Sequence, residues 1–153
     1  MRMKKQKVAI VTAGSKGIGA ACARHLASEG YKLVLMSRSD SLFAFCDQLN
    51  ARPIQGSMKD QNDIVRLVDF TFEKYGRIDA VVCNTGHASK GPLFSLTDSD
   101  WYEGVNLLLM NVVRLARLVG PIMAKQKVGA LVNISSFGAK EPSLSFPISS
   151  VIR

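Results

Sequence analysis

Four apolar residues, Val8 to Val11, run through Thr12 into Ala13-Gly14-Ser15-Lys16-Gly17-Ile18-Gly19, and the helical pattern AACARHLASEG follows at once. Few chain segments are so restricted. A continuous apolar run without in–out alternation suits a strand covered on both faces. Glycines permit a tight turn and let backbone approach a ligand, and a helix that starts there offers free N–H groups and a positive dipole end. A strand, a glycine turn and a helix in this order form the crevice in which parallel sheets hold a dinucleotide pyrophosphate.

The same alternation continues down the chain. Further apolar runs are Leu33–Met36, a weaker one around Pro53-Ile54, Ala80–Cys83 and Leu131–Ile134. Helical patterns fill the intervals, at about Gly17–Glu29, Ser41–Leu49, Gln61–Tyr75 and Ser99–Lys125. In the third of these, Ile64, Leu67, Val68 and Thr71 share one face, Asp60 or Asn62 is placed to cap the start, and Gly76 permits a left-handed stop. Strand–helix–strand repetition implies right-handed crossovers and an α/β fold, a doubly wound parallel sheet of order 3-2-1-4-5. No linker, repeat or low-complexity stretch divides the 153 residues, so the chain reads as a single dinucleotide-binding domain spanning 1–153.

Charge and cysteines narrow the function. The net charge is +8. Its basic residues are scattered apart from Arg2, Lys4, Lys5 and Lys7, and with aromatics at 7% no basic stripe interleaved with rings exists to argue for nucleic acid. Cys22, Cys46 and Cys83 are widely spaced, with no CxxC pair, metal-ligand pattern or disulfide framework. Buried thiols in a reducing cytoplasm are expected. The start MRMKKQK-VAIVTAG has too short an apolar run for a leader, and Asn106 and Asn111 interrupt the longest later one, so no membrane span is expected.

Three landmarks in order resemble the short-chain dehydrogenase/reductase family. Its Thr-Gly-x-x-x-Gly-x-Gly is met by Thr12, Ala13, Gly17 and Gly19, with Ala13 in place of the first glycine and Gly14 beside it. Its Asn-Asn-Ala-Gly after the fourth strand is similar to Cys83-Asn84-Thr85-Gly86, and its catalytic-serine segment to Val132-Asn133-Ile134-Ser135-Ser136. The resemblance implies an oxidoreductase that moves hydride between a nicotinamide cofactor and a small carbonyl or alcohol substrate. It also implies cofactor contacts at Gly14, Ser15, Lys16, Gly17, Ile18, Gly19, Asn84 and Gly86.

The second strand ends at Ser37-Arg38, where an acidic residue would accept the ribose hydroxyls of NAD and repel a 2′-phosphate. Arg38 instead offers a planar fork suited to phosphate, and Lys16 adds a second cation, so NADP(H) is the expected cofactor. Ser57-Met58 stands at the third strand's exit, where the family carries Asp-Val near adenine; Ser57 is placed to bond the base edge and Met58 to pack beside the ring.

The family's chemistry rests on Ser, Tyr and Lys, often with a helix Asn. Ser136 matches the serine. Thirteen residues on, Ser149 takes the tyrosine position, and four further, Arg153 takes the lysine position. The helix Asn position falls near Leu108. A serine is a far weaker acid than a phenol, and arginine keeps its proton. Ser136 and Ser149 are therefore expected to polarise a carbonyl, Arg153 to hold the nicotinamide ribose, and water to deliver the proton. His87 is the only histidine near the cofactor end of the sheet, whereas His25 lies in the first helix. The family also implies more chain beyond Arg153. The sequence thus reads as the dinucleotide half, incomplete at its C-terminus, of a protein expected to self-associate when whole. The alternative is a catalytically silent dinucleotide-binding protein that keeps the fold.

Overall fold

The computed structural model describes residues 6–153. Arg2, Lys4 and Lys5 of the basic N-terminal cluster lie outside the described residues. Five parallel strands, β1 (Val8–Thr12), β2 (Lys32–Ser37), β3 (Arg52–Gln55), β4 (Ala80–Cys83) and β5 (Ala130–Asn133), form one sheet. Their order is β3-β2-β1-β4-β5, as the alternating pattern predicts. Register is set in the middle of the sheet, where Ile10 faces both Val34 and Val81.

The continuous apolar runs are explained by helices on both faces. On one face, Ile10, Val34, Met36 and Val81 pack with Ile64, Leu67 and Val68 of α3 (Gln61–Tyr75) and with Leu115 and Val119 of α5 (Asn111–Gln126). On the other, Ala9, Val11, Leu33 and Leu35 meet Ala20 and Ala23 of α1 (Gly17–Ser28) and Leu42, Phe45 and Cys46 of α2 (Ser41–Leu49). Adjacent residues of β1 thus serve opposite layers, which fixes the pleat. Asp60, not Asn62, caps α3 by accepting from the Asn62 N–H, and Gly76 ends it at φ 67°.

The long helical pattern ends differently from its reading as one α-helix. Residues 98–126 are continuous helix, but α4 (Asp98–Gly104) passes into a π-helical segment, Val105–Met110, before α5. A wider turn of this kind re-aims the side chains next to it. Asn106 donates to the Lys59 carbonyl and accepts from Arg114 at 2.7 Å, which ties the segment to the β3 exit. Leu108, at the position of the family's helix Asn, is buried in the core. The stretch is apolar enough by composition to cross a bilayer, with mean hydropathy 1.6 over its best window. Here Leu115 and Val119 instead cover the sheet. A short α6 (Pro147–Ile152) closes the described chain.

At the N-terminal edge of the sheet, Arg77 forks onto Asp79 at 2.8 and 2.5 Å, and the Val8 N–H donates to the same carboxylate at 2.8 Å.

One position in the β1–α1 turn is strained. Ala13 sits at φ 46°, in the left-handed region that costs an L-residue roughly 1–2 kcal/mol. We expect Ala13→Gly to stabilise the fold by about 1 kcal/mol, after the entropy a glycine loses on folding. Urea unfolding checks this, and an unchanged or lower midpoint would show that the turn carries no such strain.

Candidate dinucleotide cleft and carbonyl pocket

The order of strands reverses between β1 and β4, so the loops leaving their C-terminal ends part and open a crevice. A cleft of about 570 Å³ lies there. It brings together Ser15, Lys16, Ser37, Arg38, Ser57, Met58 and Gly86 from four separate loops, all of them expected from the sequence.

The walls are built by hydrogen bonds at the strand exits. The Gly14 N–H donates to the Met36 carbonyl at 3.0 Å. Ser15 and Ser37 share a hydroxyl–hydroxyl bond of 2.8 Å, and Ser37 Oγ also accepts from the Ser39 N–H. Asp63 accepts from the Ser57 N–H at 2.8 Å and from Arg66 at 2.6 Å, bonds that hold its carboxyl below the usual aspartate range against the opposing effect of burial. Asp40 accepts from Gln55 at 2.7 Å and so is engaged away from any ribose.

The glycine turn fits a pyrophosphate on its own geometry. Helix α1 opens with no side-chain cap, leaving its first N–H groups free. A Cβ at Gly19 would collide with the Ala13 carbonyl and come within 2.7 Å of Asn84 Nδ2, and one at Gly14 would lie 3.0 Å from the Val11 carbonyl. Only glycine allows the helix to start this close to β1 and β4. Gly17 holds φ 52° with open space where a Cβ would point, and Ile18 is exposed. Asn84 is buried: its side chain donates to the Ala13 carbonyl at 3.3 Å, while Thr12 Oγ1 donates to the Asn84 carbonyl at 2.6 Å. Its contribution to the cleft runs through the glycine turn it braces.

Three cations face the cleft. Lys59 pairs with Glu103. Lys16 and Arg38 are exposed and form no ion pair among the described residues. Lys59 was not among the expected site residues. It directly follows Met58, and its basic character beside the third strand's exit was the available signal. Leu107, from the π-helical segment, adds an apolar wall that a periodicity of 3.6 does not anticipate.

Beside this cleft a smaller pocket of about 160 Å³ holds Ser136 and Ser149 together. His87 lines both spaces, so the two are neighbours at that residue. Ser136 Oγ accepts from the Gly138 N–H at 3.2 Å, which leaves its own proton free to donate. Arg153 does not line either space. Its Nη1 donates to the Ile134 and Ser135 carbonyls at 3.2 and 3.1 Å, its Nη2 to the Gly86 carbonyl at 3.0 Å, and its buried Nε has no partner among the described residues. Burial pushes its pKa below the ordinary value, yet a guanidinium stays charged at neutral pH. The side chain therefore clamps the β4 exit to the β5 exit. His25 is exposed on α1, away from the site.

Of the cysteines, Cys46 and Cys83 are buried, and burial raises their thiols to about 11 and about 12. Cys22 is only partly buried.

Comparison with known proteins agrees with this layout. The chain is 32% identical over 136 residues to the 3-oxoacyl-(acyl-carrier-protein) reductase of Thermotoga maritima, covering 85% of this chain and 55% of that protein. It is 33% identical over 141 residues to dehydrogenase/reductase SDR family member 4 of Caenorhabditis elegans, covering 87% and 54%. The crystal structure of L-sorbose reductase from Gluconobacter frateurii, complexed with NADPH and L-sorbose, superposes with a TM-score of 0.88 at 28% identity, over 97% of this chain and 59% of that one. The chain thus spans little more than half the length of these relatives. The sequence profile of the short chain dehydrogenases matches residues 7–149, from the start of β1 to the pocket serine. With the crevice, the glycine turn and the β5-exit serine in their places, the chain belongs to the short-chain dehydrogenase family.

Proposed function

We propose that the protein is an NADP(H)-dependent oxidoreductase acting on a small carbonyl or alcohol compound. The observation that carries the reading is the convergence of Lys16 and Arg38, neither ion-paired among the described residues, on one cleft beside a two-serine pocket, with His87 lining both. NADPH bound in the cleft would supply hydride. The chain's own part is to bind, orient and polarise. The open end of α1 and the glycine turn receive the pyrophosphate. Arg38 grips the 2′-phosphate with its fork, and Lys16 adds charge. Ser57 and Met58 flank the adenine.

In the pocket, Ser136 donates its hydroxyl proton to the carbonyl oxygen. That bond strengthens as negative charge develops on the oxygen, which is where catalysis gains. Ser149 offers a second hydroxyl. Serine and water are comparably weak acids, so the alkoxide left by hydride transfer takes its proton through a pocket hydroxyl or water, and bulk solvent restores it. Arg153 acts as a positioning residue, holding the Gly86 and Ile134–Ser135 carbonyls so that cleft and pocket keep their spacing.

The relatives support the reading: the Gluconobacter protein was crystallised with NADPH. A test uses NADPH deuterated at C4, incubated with a panel of ketones at protein concentrations comparable to substrate. Deuterium in the alcohol product is expected. Ser136→Ala should slow transfer about tenfold, the worth of one neutral hydrogen bond realised in the transition state, and leave NADPH binding intact. Binding of NADPH with no deuterium transferred to any ketone would favour the silent, binding-only protein. Equal transfer rates in Ser136→Ala and wild type would remove Ser136 from the mechanism.

A further inference from the structure

The pocket that holds the two serines has a composition that goes beyond carbonyl polarisation. Ser136 and Ser149 lie with His87, Ser89 and two aromatic rings, Phe137 and Phe146. Lys90 also lines it, with Nζ 5.3 Å from the centroid of the Phe146 ring. That stacking holds the ammonium at the aromatic wall. No aspartate or glutamate lines the pocket. Of the nearest acids along the chain, Asp100 is committed to the Thr97 backbone and hydroxyl, Glu103 pairs with Lys59, and Glu141 follows the turn beyond Phe137 without lining the pocket. Lys90 forms no ion pair among the described residues.

Size sets a further limit. A volume of about 160 Å³ accommodates roughly one six-membered ring, since a cavity of about 150 Å³ takes up benzene. A ligand matched to all three parts carries a carbonyl, one ring or a short apolar body, and an anionic end. We propose that the substrate is an oxo acid of this kind. Its carbonyl meets the serines, its apolar body lies against Phe137 and Phe146, and its carboxylate is received by Lys90. This rests on the oxidoreductase reading and adds the substrate class to it.

Lys90 is exposed, so a neutral ketone gains little from its ammonium, whereas a carboxylate gains a salt-sensitive charge pairing beside the aromatic face.

The probes are 4-oxo-4-phenylbutanoate and 1-phenylbutan-1-one, which differ in a carboxylate against a methyl group. Binding is read by ligand-observed NMR on the 153-residue protein, with and without saturating NADPH, so no turnover is needed. The acid is expected to bind about fivefold more tightly than the ketone, with the preference falling as salt rises. Lys90→Gln should erase the preference, weakening the acid about fivefold and changing the ketone and NADPH affinities less than twofold. The unchanged NADPH affinity shows that the variant is folded. Equal binding of the two probes by wild type, binding of neither, or a preference that survives in Lys90→Gln would each overturn the proposal. Failure of NADPH to bind would instead defeat the oxidoreductase reading, while the acid preference measured without cofactor would still decide the role of Lys90.

Discussion

Replacing Asp79 with alanine is expected to cost about 3 kcal/mol of stability, close to the loss seen when one partner of a buried pair is removed. Asp79 is 7% exposed and satisfies both nitrogens of the Arg77 fork and the Val8 N–H. Its removal strands a half-buried guanidinium and a backbone donor at the first residue of the central strand. The Asp79 N–H also donates to the Val8 carbonyl at 2.8 Å, so the side chain reinforces the alignment of β1 beside β4. Asp79→Asn keeps an acceptor but loses the charge, and should cost less than alanine. Urea unfolding at pH 7 measures both.

The same group makes a pH prediction. Burial pushes the Asp79 carboxyl up, but the Arg77 and Val8 hydrogen bonds and the charges of Arg77 and Lys7 outweigh it, and the folded pKa lies below the ordinary value. A depressed acid stabilises the fold fully above the unfolded aspartate pKa of about 3.9, and that contribution is lost as pH falls through the folded pKa. Wild type should therefore lose stability steeply below about pH 4, and Asp79→Ala should show a shallower slope over that range. Parallel slopes would separate Asp79 from acid unfolding.

Arg38→Asp is expected to weaken NADPH binding by at least tenfold, and by up to about a hundredfold. The loss of a charge-assisted contact is worth about 1.5–3 kcal/mol, and the new carboxylate repels the 2′-phosphate. NADH should be bound no worse, since the aspartate can accept from free ribose hydroxyls. Lys16→Gln should weaken NADPH less, because a lysine acts as a point charge without the planar fork. Calorimetric titration of each variant with both cofactors measures the order, and an Arg38→Asp variant that keeps wild-type NADPH affinity would remove the arginine from the site.

The layers of the fold were legible because each strand is a short, continuous apolar run and each helix carries one apolar face. Ile10 and Val11 point to different layers, and both positions are apolar for that reason. The cleft residues Ser15, Lys16, Ser37, Arg38, Ser57 and Met58 were legible because all sit at strand exits, and chain order alone places strand exits. What escaped depends on contacts distant in sequence. The π-helical turn at Val105–Met110 has no breaker to announce it; it is held by Asn106 and Arg114 reaching the Lys59 carbonyl. Lys59 and Lys90 carry no motif in the sequence, and only the folded loops bring them to the cleft and the pocket. Arg153 was expected at the ribose by spacing, yet its donors are taken by three carbonyls on two loops that meet only in the folded chain. Asn84, expected at the cofactor, also braces the glycine turn through the Ala13 carbonyl, a contact that chain order does not announce.

The account turns on whether the cleft selects the 2′-phosphate. The most direct measurement titrates the wild-type chain with NADPH and with NADH under one buffer and salt condition. The predicted result is a saturable NADPH isotherm of one site per chain, at least tenfold tighter than NADH, with the gap narrowing as salt rises. Equal affinities for the two cofactors, or no binding of either, would contradict it.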